Sequence, residues 1–100
     1  MYKISDIEKE VLKNFKRLKI PQMFKTEYID HMLFIELVDF DICTYLLEGK
    51  KFPNNFYAEV MQNYDQFKKN IDISNLDEWS KKYYYECIKV LEIFEKHCNG

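Results

Sequence analysis

The chain holds little of what breaks helices and little of what builds a catalytic centre. Among its 100 residues there are two glycines and two prolines. The glycine-rich turns that cradle phosphate are therefore missing, which disfavours nucleotide chemistry. The two histidines, His31 and His97, and the three cysteines, Cys43, Cys87 and Cys98, form neither a CxxC pair nor an HExxH motif, the spacings that commonly hold zinc. Glu27 precedes His31 by four residues and Asp30 adjoins it; one such pair arises by chance, so no metal is expected. Nucleophilic catalysis needs a nucleophile, a base and an orienting group, and no such triad is visible. The expectation is a protein that is not an enzyme and carries no cofactor.

No apolar run approaches the roughly 18 residues of a membrane span. The start, Met1-Tyr2-Lys3-Ile4-Ser5-Asp6, lacks the apolar stretch of a signal peptide. With an odd number of cysteines, three reduced packing thiols in the cytoplasm are the economical expectation.

What is present is material for a core. Hydrophobic residues make up 47% of the chain and aromatic residues 17%, enough for one small folded domain, residues 1–100, rather than a disordered segment. No stretch alternates with the period-2 pattern of a strand. Four amphipathic segments with short connections predict an all-α fold, a small antiparallel four-helix bundle or an irregular four- or five-helix relative.

The first helix should start at Ser5, with Glu8 closing a capping box, carry Ile7, Val11, Leu12, Phe15 and Leu18 on one side, and stop by Pro21. The second is read as one helix from Met23 to Glu48, ended by Gly49 as a left-handed cap, with a break at Val38-Asp39-Phe40-Asp41 as the alternative. After the loop around Pro53, an Asn caps a third helix bearing Phe56, Tyr57, Val60, Met61, Tyr64, Phe67 and Ile71. The fourth should be capped by Ser74, with Asp77 at the third helical position, and should fray near Asn99-Gly100. Its inward stripe reads Leu76, Trp79, Tyr83, Cys87, Val90, Leu91 and Phe94.

The formal net charge of −2 argues against a partner held by bulk positive charge, such as nucleic acid or an anionic membrane. The lysine pairs at 50–51, 68–69 and 81–82 read as solubility features. Charge is uneven along the chain: residues 1–20 carry a net +3, whereas residues 21–48 set Lys25 against Glu27, Asp30, Glu36, Asp39, Asp41 and Glu48, a net −5. Advancing about 100° per residue, Glu27, Asp30, Asp41 and Glu48 fall on one side of the second helix, with Leu33, Phe34 and Leu37 in their midst. An apolar centre with a charged rim is how protein-binding surfaces are commonly built. The competing reading makes Leu33, Phe34 and Leu37 core. Tyr85, in the run Tyr83-Tyr84-Tyr85, points away from the stripe and offers a further contact residue.

If the acidic face is exposed, its partner is basic, and nucleic-acid-cleaving enzymes are basic. The functional expectation is therefore a small protein-binding module, an inhibitor on the logic of bacterial immunity proteins that neutralise a basic toxin. The alternatives are a phage- or plasmid-type regulator acting on host machinery and, less favoured by the charge, a nucleic-acid-binding regulator.

Overall fold

In the computed structural model, which describes residues 3–99, helix α1 (Asp6–Arg17) begins at the expected capping box. The Glu8 amide donates to Ser5 Oγ at 3.1 Å and the Ser5 amide donates to Glu8 Oε1 at 2.8 Å. Two of the first-turn amides that no helix can satisfy internally are thus paired. Leu18 turns extended, and Pro21 leads into the short helix α2 (Gln22–Thr26).

The single long helix expected from Met23 to Glu48 does not form. Tyr28 leaves helical geometry at φ −119° and ψ 34°, and the chain restarts as a continuous arm, residues 29–48. The arm opens with a 3-10 turn, Ile29–His31, continues as α3 (Met32–Glu36), widens into a π turn at Leu37–Ile42, and closes as α4 (Cys43–Glu48). Gly49 ends it in the left-handed region at φ 68°, as expected. The alternative break at Val38–Asp41 is absent too, and the π turn stands in its place.

That turn has a packing reason. Phe34, Val38, Ile42 and Leu46 are all buried at spacings of four. In an α-helix residues four apart precess by about 40°, so three such steps would carry Leu46 out of the core. The wider π turn absorbs the drift. Lys16 Nζ donates to the Asp39 carbonyl at 3.3 Å and to Thr44 Oγ1 at 3.2 Å, tying α1 to this segment.

Asn55 adopts φ 66° and makes no side-chain cap to α5 (Phe56–Asn70), contrary to expectation. A 3-10 turn, Ile73–Asn75, follows, with Asp72 accepting from the Ser74 amide. The last helix, α6 (Glu78–Asn99), therefore starts later than expected: Asp77, not Ser74, caps it, accepting from the Ser80 amide at 2.8 Å. Gly100, where fraying was expected, lies outside the described residues.

Helix α6 is central. Antiparallel α1 brings Glu8 beside Lys96 and His97 at one end, and at the other Trp79 Nε1 donates to the Lys19 carbonyl. On the other side α5 runs antiparallel to α6, pairing Tyr57 with Phe94 and Phe67 with Tyr84. The arm crosses this layer, α3 on α5, the π turn on α6 and α4 on α1. With extents of 38 × 26 × 17 Å, the shortest dimension accommodates two helix layers. The result is all-α, with no strand among the described residues: an irregular relative of the four-helix bundle. Ile7, Tyr57 and Trp79, assigned to the apolar stripes, are exposed.

Glu8 serves both a cap and a junction. The Ser5 amide above all, with His97 and Lys96 adding and burial opposing, holds its carboxyl at about 2, down from the ordinary 4.5. Between these values the unfolded chain binds a proton that the folded chain does not. The stabilisation is complete above about pH 4.5 and disappears as pH falls through about 2. Glu8→Gln keeps a side chain that can close the capping box but removes the charge, so it should destabilise the fold at neutral pH and flatten the acid limb of a stability-against-pH curve. An unchanged acid limb in urea titrations would remove Glu8 from that role.

Candidate functional site

The structure divides the residues that the sequence grouped as one contact face. Phe34, 1% exposed, is core: its ring stacks on Tyr64 at 5.6 Å and packs against Phe67 at 4.7 Å. Leu37 is core as well. Of the expected apolar centre, only Leu33 faces outward.

Leu33 has other company. Ile29, Leu33 and Phe40 are 61%, 54% and 59% exposed. With Glu36, also exposed, they occupy positions i, i+4, i+7 and i+11, one line along a helix. The line lies on the outward side of the arm because Phe34, Ile35 and Val38 hold the opposite side against the core. A single helical wheel begun at Met23 could not find it, since Tyr28 leaves helical geometry and the register shifts through the π turn. The spacing from Ile29 to Phe40 was nonetheless readable.

The expected carboxylates lie on and just before the same arm. Glu27, Asp30, Glu36 and Glu48 are exposed, and Asp39 and Asp41 are half-buried. Glu48, at the far end, bridges Lys50 at 3.5 Å. Among the described residues no ion pair engages Glu27, Asp30, Glu36 or Asp41. Burial raises the Asp39 carboxyl from its ordinary range, with Lys16 acting in the opposite sense. Beside the start of the line, Glu27, Tyr28, Asp30, His31 and Asn70 wall a concavity of about 380 Å³. His31 also meets the Phe67 ring edge-on at 5.9 Å.

Tyr85 is exposed but does not belong here. It lies two residues, about 200° of helix, from both Tyr83 and Cys87, which are buried on the side of α6 that the π turn covers. Tyr85 therefore faces away from the arm.

The thiols have the character of packing groups. Burial pushes Cys43 up to about 12 and raises Cys87 and Cys98 as well, which lowers their reactivity as nucleophiles. All three are free. Among the described residues no group of three or more His, Cys, Asp or Glu side chains could hold a metal ion, and no helix is long and apolar enough to cross a membrane. What the outward face of the arm can do chemically is desolvate against another molecule and attract positive charge. Compared with known proteins, the chain matches no family model, no curated protein and no solved structure.

Proposed function

We propose that this chain is a small cytoplasmic protein-binding module that engages a basic protein through the outward face of its arm, acting as an inhibitor in the manner of an immunity protein. One observation carries the reading: Ile29, Leu33 and Phe40 stand exposed in a row, and among the described residues no ion pair engages Glu27, Asp30, Glu36 or Asp41 on the same arm. Burying the row supplies desolvation energy, and the acids speed encounter with a cationic surface while rejecting an anionic one. A nuclease suits this face because its own substrate-binding surface must be cationic.

The test is affinity capture from the native host with the wild-type chain and with Leu33→Asp/Phe40→Asp. Both substitutions are at the surface, so the fold should hold to within about 0.5 kcal/mol each. They also add negative charge, so any loss of a basic partner reports on the apolar row alone. The wild type should retain a basic protein, in a salt-sensitive manner. The double variant should bind it at least about thirtyfold more weakly, the effect of losing roughly 2 kcal/mol at an anchor. If the partner proves to be a nucleic acid or an acidic protein, or if the double variant binds unchanged, the reading fails. A basic partner drawn from host machinery rather than a toxin would replace the inhibitor role with that of a regulator.

A further inference from the structure

Resting on that reading, we infer that the element received by the arm is a basic amphipathic α-helix, laid lengthwise along the row with one cationic side chain directed into the concavity beside Tyr28. The row from Ile29 to Phe40 advances by eleven steps, or about 16 Å at roughly 1.5 Å per step, close to three helical turns. A partner helix with apolar residues at the same repeat can interleave along its whole length. Strand addition is not an option, because no strand edge is offered among the described residues. Recognition at this face is by side chains.

Charge then sets the register. Glu36 interrupts the row between Leu33 and Phe40 and is exposed, so a helix lying on the row must place a cation opposite it. A misregistered partner would cover that carboxylate with apolar surface, which is costly. At the other end, the concavity of about 380 Å³ has Glu27 and Asp30 in its walls and neither lysine nor arginine among them. A guanidinium, planar and able to pair two carboxylate oxygens at once, suits it better than an ammonium. The same carboxylates argue against a second copy of this chain related by two-fold symmetry, which would set one acidic row against another. They also repel anionic lipid headgroups.

The experiment uses fluorescently labelled peptides and the purified chain, read by anisotropy. The panel holds helical peptides with Leu at i, i+4 and i+11 and Arg at i+7 and flanking positions. Its controls are a scrambled peptide of equal composition, one with a central proline, and one with Glu in place of Arg. At least one basic helical peptide should bind, and the controls should bind at least about tenfold more weakly. Leu33→Asp should weaken the bound peptide by about tenfold or more. Glu36→Gln and the pair Glu27→Gln/Asp30→Asn should each weaken it severalfold without moving the melting temperature. Equal binding of the scrambled peptide would reduce the effect to bulk charge and overturn the inference, as would failure of every panel member. Association of the chain with itself that such a peptide competes away would assign the face to a second copy, which also overturns it. A whole basic protein that depends on Leu33 and Phe40 while no helical peptide binds would refute the helix and leave the docking face standing.

Discussion

Phe94→Ala is expected to remove about 3–5 kcal/mol of stability, the range for truncating a fully buried phenylalanine. Phe94 is completely buried on α6. It meets Phe52 edge-on at 5.1 Å, Phe56 edge-on at 5.8 Å and Tyr57 nearly face to face at 5.7 Å. Phe52 comes from the loop after the arm, whereas Phe56 and Tyr57 open α5, so one ring joins three parts of the chain. Truncation leaves a cavity that the surrounding rings can close only by leaving favourable mutual geometry. A domain of this size commonly has about 5–15 kcal/mol in total, so the variant should be marginal. Urea denaturation with an unchanged slope and a much lower midpoint is the expected record. A loss below about 1 kcal/mol would show that this aromatic cluster is not a seam of the fold.

Phe34→Ala should be as damaging, again about 3–5 kcal/mol, while its neighbour Leu33→Ala should change stability by less than about 0.5 kcal/mol. The contrast follows from orientation. Phe34 lies inside, against Tyr64 and Phe67, and Leu33, about 100° away on the same helix, lies 54% exposed. The two substitutions compared in one denaturation series separate core from contact surface without any partner being known. Equal losses at the two positions would mean that Leu33 is packed, and the outward row would lose its middle member.

The features that the sequence shows plainly are those decided within a few residues. Ser5 and Glu8 close a capping box three residues apart, and Gly49 takes the left-handed turn that a side chain would resist. The all-α class follows from apolar residues recurring at helical intervals. Where two local solutions compete, the sequence leaves the choice open. Asp72, Ser74 and Asp77 can all cap, and the structure uses Asp72 for a 3-10 turn and Asp77 for α6. Asn55 opens α5 in the left-handed region without a side-chain cap, and the Phe56 amide donates to the Pro53 carbonyl instead.

The acidic character of residues 21–48 was likewise determined by the sequence alone, since formal charge needs no fold. Which apolar residues stand among those acids was decided only in three dimensions. Residues 29–48 are apolar on nearly every side, so helical periodicity offers more than one inward face. The choice among them was made by α1, α5 and α6, distant in the chain, when they buried Phe34, Leu37, Val38 and Ile42. The π turn that aligns those residues follows from the same packing, and burial of that side leaves Ile29, Leu33 and Phe40 outward. Burial depends on which surfaces meet, and that is a property of the whole chain rather than of any stretch within it.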